Sequence, residues 1–138
     1  MTSELWINLP VKDINKSKEF FKKIGFTLYE QDFNSNESAG IVIGSKNIVV
    51  MLFSEPTFKG FVKNEVTDTS KSSEVLFSFS ADTRDEVDEI AKLVKEAGGN
   101  VFGEPAAHES WMYGCGFADL DGHRWNVLFM DMNAFPEK

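Results

Sequence analysis

Cysteine is nearly missing from this 138-residue chain, with Cys115 standing alone. No internal disulfide can form, and so thiol-poor a composition suits the reducing cytoplasm, which is the expected location. Histidine is scarce as well: His108 and His123 are the whole supply, which leaves few nitrogen donors for a dedicated metal site. Basic residues are in deficit, 14 against 22 acidic, for a formal net charge of −8. That balance argues against sequence-independent binding to nucleic acid or to an anionic membrane, both of which favour a basic face. The one lysine-rich stretch, Lys12 to Lys23, is interspersed along a predicted helix and reads as a solvated face. Long apolar runs are missing too; Ile48 to Phe53 is far too short to cross a bilayer. The opening Met1-Thr-Ser-Glu-Leu5 has neither a basic segment nor an apolar one, so no secretory signal is expected.

What is present is an ordinary globular composition, 42% hydrophobic, in a length that suits one domain over residues 1–138 with a substantial core. Leu5 to Val11 reads as a strand with Ile7, Leu9 and Val11 on one face and Trp6, Asn8 and Pro10 on the other. Pro10 cannot donate to a ladder, which points to an edge or to the end of pairing. Asp13 is placed to cap a helix whose buried stripe is Ile14, Ser17, Phe20, Phe21 and Ile24, with Gly25 as the stop. Short strands are predicted over Phe26 to Glu30, Ile41 to Ile43 and Ile48 to Phe53.

The pattern then restarts. Glu74 to Ala81 alternates Val75, Phe77, Phe79 and Ala81 against Leu76, Ser78 and Ser80. Asp82 or Thr83 caps a second helix, and Thr83 with Glu86 has capping-box spacing. Val87, Ile90, Ala91, Val94 and Ala97 form its stripe, and Gly98-Gly99 ends it. Strands follow near Asn100 to Phe102, Trp111 to Phe117 and Arg124 to Met130. The order strand, helix, three strands thus occurs twice, as module one (about 4–53) and module two (about 74–131). The connection 54–73 is too long for a tight turn. Its Phe58, Phe61 and Val66 suit either packing at a subunit boundary or a surface loop folded over its own aromatics. Two sheets each backed by a helix, facing one another, would make a cupped barrel around a cavity.

Between the last two strands, Asp119-Leu-Asp-Gly122 has the residues of a tight turn. This turn, with Phe117-Ala-Asp-Leu-Asp-Gly-His-Arg-Trp125, and the segments Leu9-Pro-Val-Lys-Asp-Ile-Asn-Lys-Ser17 and Lys23-Ile-Gly-Phe26, resembles the vicinal oxygen chelate superfamily. That group contains glyoxalase I, extradiol dioxygenases and bleomycin-resistance proteins. The resemblance covers essentially the whole chain. It implies an α+β fold of paired βαβββ modules forming a cupped mixed sheet around a cavity, commonly in homodimers. Members that catalyse place a divalent metal in the cavity, held by His, Gln or Glu from four strands. The matching positions here are Trp6, Met51, Leu76 and Asn126. Three of these side chains offer a metal no oxygen or imidazole nitrogen, and Asn126 offers only a neutral carbonyl. A catalytic ion needs about three protein ligands, so no metal cofactor is expected. A register shift of two supplies Glu74 for Leu76 and Arg124 or Leu128 for Asn126, still short of a site. His108 and His123 read as exposed loop residues outside the ligand positions.

Strand parity gives a cavity-facing set of Trp6, Asn8, Met51, Phe53, Ser78, Arg124, Asn126 and Leu128. Broad apolar surfaces with a few polar groups are the usual make-up of a small-molecule pocket. Trp6 would stack on a planar ligand, Asn8, Ser78 and Asn126 would orient it, and Arg124 would meet a carboxylate or phosphate. Equally, Trp6, Met51 and Phe53 suit a plain barrel core. Cys115 reads as a small buried apolar residue, and Asp119 and Asp121 as turn formers. The function expected is that of a metal-free, homodimeric binder of an unidentified small molecule, with no nucleic-acid or membrane partner. The alternatives are a metal-dependent lyase, isomerase or dioxygenase with non-standard ligands, and metal-free catalysis with Glu74 as the one candidate base.

Overall fold

The computed structural model describes residues 1–29 and 36–134, and the chain forms two compact units, Met1–Asp68 and Thr69–Lys138. The first unit runs β1 (Trp6–Val11), α1 (Ile14–Lys23), β2 (Thr27–Leu28), β3 (Ser38–Ile43), β4 (Ile48–Ser54) and α2 (Glu55–Val62). Its sheet has the order β1-β4-β3-β2. The pair β1–β4 is parallel and the rest antiparallel. Pro10 therefore sits on an edge strand, where its missing N–H breaks no inner ladder.

Asp13 caps α1 by accepting the Lys16 N–H at 3.0 Å. The stripe Ile14, Ser17, Phe20, Phe21 and Ile24 is buried. It packs on the sheet face formed by Leu9, Val11, Ala39, Ile41, Val50 and Leu52, also buried. Each large aliphatic residue removed from water there contributes about 1.5–3 kcal/mol. The expected strand from Phe26 is confined to Thr27–Leu28, and Glu30 lies outside the described residues.

The second unit repeats the plan as β5 (Leu76–Ser80), α3 (Arg84–Glu96), β6 (Asn100–His108), β7 (Met112–Ala118) and β8 (Arg124–Met130). Its sheet order is β5-β8-β7-β6, again with first and last strands parallel. Thr83 caps α3 by accepting the Glu86 N–H at 3.0 Å. Val87, Ile90, Ala91 and Val94 are buried against Cys115, Phe117, Trp125 and Val127. Trp125 anchors an aromatic cluster, with ring centroids 4.9 Å from Phe77, 6.2 Å from Phe79 and 6.3 Å from Phe117. The Tyr113 hydroxyl donates to Asp88 of α3 at 2.6 Å, while the Arg84 guanidinium lies 5.1 Å from the Tyr113 ring centre.

Three expectations need correction. The connection after β4 is not a bare loop: residues 55–62 form α2, with Pro56 in its first turn and none of its residues buried. It stays at the surface, where Phe61 meets Phe53 edge-on at 5.0 Å yet remains 63% exposed. The strand from Asn100 does not stop at Phe102. It continues to His108 on the edge of its sheet, with register shifts at Gly103 and before Ala106 that accommodate Pro105. Glu74, finally, precedes β5 and is exposed, so strand parity does not place it on either face.

Candidate functional site

The cavity-facing residues read from parity divide between the two units. In the first, Trp6, Asn8, Met51 and Phe53 lie on the sheet face opposite the buried α1 side. The register pairs Asn8 with Met51 and Pro10 with Phe53. Trp6 is 64% exposed, so within this unit it is not core. Met51 and Phe53 are half-buried. Gly40, paired with Met51, allows this arrangement: a Cβ there would stand 2.8 Å from Tyr29 Cβ and 3.0 Å from Met51 Sδ.

In the second unit, Ser78 of β5 pairs with Asn126 of β8, and Leu76 pairs with Arg124. Across the sheet Asn126 pairs with Gly116 of β7. By alternation these side chains point away from α3, as does Leu128. Leu76 and Ser78 are exposed, Leu76 to 54%, while Arg124, Asn126 and Leu128 are half-buried. Phe102 of β6 lies over β7 because Gly116 has no side chain; a Cβ would come within 2.7 Å of its ring. The Arg124 guanidinium in turn lies 4.5 Å from the centre of that ring. Phe102 belongs to this group although parity reading missed it. Its signal was available in Gly114 and Gly116, which leave a shelf on β7 for a neighbour's ring.

The turn that fixes β8 is built around Asp119. One carboxylate oxygen accepts the N–H groups of Asp121 and His123, each at 3.0 Å, and the other accepts Trp125 Nε1–H at 3.1 Å. The Asp119 N–H donates to the His123 carbonyl, and Gly122 takes φ 89°, where an L side chain is strained. The Thr69 hydroxyl donates to the Asp121 carbonyl, tying the start of this unit to the same turn. Burial pushes the Asp119 carboxyl above the usual carboxylate range, against the opposing influence of His123 and the hydrogen bonds from Trp125 and Asp121.

His123 is thus not an exposed loop residue. It is buried beside the Asp119 carboxylate because the turn folds its backbone inward. His108 ends β6 opposite Met112 and is exposed. Cys115 is buried, and desolvation, with Glu104 and Asp88 adding to it, pushes its thiol up to about 11. That suits packing and not nucleophilic attack at neutral pH.

The four side chains at the positions that the resemblance gives to a divalent ion do not supply its usual ligands. Trp6, Met51 and Leu76 have no hard donor, and Asn126 offers one neutral oxygen. Among the described residues, no three His, Cys, Asp or Glu side chains are grouped to hold a metal.

With this geometry in hand, comparison with known proteins is decisive for the family. The sequence profile of the Glyoxalase/Bleomycin resistance protein/Dioxygenase superfamily matches residues 5–127. The chain belongs to this superfamily. A solved structure of a hypothetical protein from S. aureus is 35% identical, with TM-score 0.83 over 94% of this chain and 95% of that one. A glyoxalase/bleomycin resistance protein/dioxygenase family enzyme from Burkholderia phytofirmans shares the fold at 16% identity and TM-score 0.77, covering 93% and 99% of the two chains. So does the fosfomycin resistance protein FosX from Listeria monocytogenes, solved with Mn(II) and sulfate, at 18% identity and TM-score 0.67 over 97% and 94%. No curated protein matches the chain.

Proposed function

We propose that this superfamily member is a metal-free binding protein for a small organic molecule, with candidate ligand-binding residues Trp6, Asn8, Met51 and Phe53 on the sheet face of the first unit and Ser78, Arg124 and Asn126 on that of the second. One observation carries the reading. The four positions at which the fold offers a metal its ligands hold an indole, a thioether, an isobutyl group and a carboxamide, while polar groups stand beside them on the same faces. Asn8 adjoins Met51, Ser78 adjoins Asn126, and Arg124 adjoins Leu76. Exposed apolar surface beside a few hydrogen-bonding groups is the constitution of a ligand site, and Trp6 and Leu76, 64% and 54% exposed, supply the apolar part.

The reading includes a homodimer, supported by exposed Leu5 and Trp6 at the edge strand β1 and exposed Phe61 and Val62 on α2. It also includes a cytoplasmic location, supported by the single buried thiol. Among the described residues no helix is long and apolar enough to cross a membrane.

Elemental analysis of the purified protein tests the metal-free reading. Substoichiometric Mn, Fe, Ni and Zn is expected, with unchanged ligand binding after chelation. A stoichiometric ion lost on Asn126→Ala would overturn it. Fluorescence titration against a ligand panel tests binding: Trp6 emission is expected to respond in the wild type and not in Trp6→Phe. Light scattering tests the dimer, and a monomer at all concentrations would remove that part.

A further inference from the structure

We infer that the face of the second unit takes an anionic small molecule, a carboxylate or phosphate monoester, with Arg124 as the anchoring cation. This rests on the binding reading above and names its ligand class. Arg124 is half-buried at the first position of β8, an inner strand of its sheet, where a cation is best paired with an acidic group. Among the described residues its one partner is the Phe102 ring, 4.5 Å away, and no carboxylate neutralises it. Among the same residues the side chains of Ser78 and Asn126 have no hydrogen-bond partner. All three stand on one face within one register step, Ser78 opposite Asn126 and Arg124 two residues before it. A guanidinium has five donors in a planar fork that matches two carboxylate or phosphate oxygens. Stacking on Phe102 satisfies its flat side and leaves the N–H edge available. The Ser78 hydroxyl and the Asn126 amide add donors for a third oxygen.

Phe102 is a positioning residue. Gly116 lets the ring lie across β7, where a Cβ would stand 2.7 and 2.9 Å from its atoms. Removing the ring takes away the flat surface on which the Arg124 guanidinium lies. A chain with net charge −8 repels anions from its general surface, so retention of an anion marks this local group and not a diffuse field.

The test uses the full-length protein with benzoate and phenyl phosphate as anionic probes and benzamide as their neutral counterpart, at constant ionic strength. Amide NMR resonances of Ser78, Arg124 and Asn126 are followed. Saturable shifts are expected with at least one anion, with benzamide about tenfold weaker or more, the equivalent of one charge-assisted hydrogen bond. Arg124→Gln is expected to lose a similar factor. Arg124→Lys should recover part of it, and Phe102→Leu should weaken binding severalfold, with each variant's melting temperature checked to confirm folding. Equal shifts from benzamide and the anions, unchanged in Arg124→Gln, would overturn the anion inference and leave the binding reading standing. Absence of any shift on this face with all three probes would overturn both. Whichever anion binds more tightly assigns the ligand to carboxylates or to phosphates.

Discussion

Replacing Asp119 with asparagine keeps the size of the side chain and changes one atom from acceptor to donor. In the native turn one oxygen accepts two backbone N–H groups and the other accepts Trp125 Nε1–H. The carbonyl of the introduced carboxamide can keep the backbone pair, but its NH2 group then faces the indole N–H. One hydrogen bond is lost and a buried donor is left unpaired, a cost of about 1–3 kcal/mol. Removing a carboxyl whose charge burial disfavours offsets part of this. Trp125→Phe removes the indole donor while keeping a ring to stack with Phe117. In that background Asp119→Asn no longer opposes two donors, so its cost falls and the pair shows a coupling of about 1–2 kcal/mol. Urea unfolding of the four proteins, with m-values compared to verify a common two-state transition, measures it. A cost within about 0.5 kcal/mol of zero, or one equal in both backgrounds, would show that the Asp119–Trp125 bond does not hold the turn.

Two glycines of β7 should respond differently to alanine. At Gly114 the added Cβ meets the Val127 carbonyl at 2.6 Å, a backbone atom that cannot swing aside, so stability should fall by about 1–3 kcal/mol. At Gly116 the clash is with the half-exposed Phe102 ring, so thermal unfolding should show a loss under about 1 kcal/mol. Cys115, with its thiol held at about 11 instead of 9.0, should react with a disulfide reagent near pH 8 roughly a hundredfold more slowly than an ordinary thiol, with full reactivity in urea. Its folded form holds the proton more tightly than the unfolded form. Its contribution to stability is therefore full below pH 9.0 and is lost as pH rises through about 11; a Cys115→Ser variant without that alkaline decline would be the expected control. Asp13→Ala and Thr83→Ala should each cost about 1 kcal/mol in chemical unfolding, since each removes one cap of a helix end.

Much of the fold was legible because the helices α1 and α3 are amphipathic with both ends marked. Asp13 and Thr83 accept from the third residue on, as their spacing predicted, and every residue of the α1 stripe is buried. Strand β8 was legible to the residue because a well-marked turn precedes it. Helix α2 was not, since a helix with no buried residue writes no apolar period; Pro56 after Ser54 was the signal on offer. His123 was misread because solvent exposure was inferred from its place next to a turn, whereas Asp119 draws that turn inward. Face membership of Ser78, Arg124 and Asn126 followed from parity, but Phe102 did not, because the register shifts in β6 break the alternation on which parity depends.

The parallel pairing of first with last strand sets an order of assembly. In the first unit, among the described residues, β1 is hydrogen-bonded to β4 alone, so it waits unpaired until the chain has been made through Ser54. Once β4 emerges, every strand of that sheet has its partners, before any residue of β5 has been synthesised. The same delay then recurs between β5 and β8. A ribosome-bound chain can therefore complete its first sheet while the second is unmade, and its exposure to mispairing is concentrated in two intervals, each ended by the arrival of a closing strand.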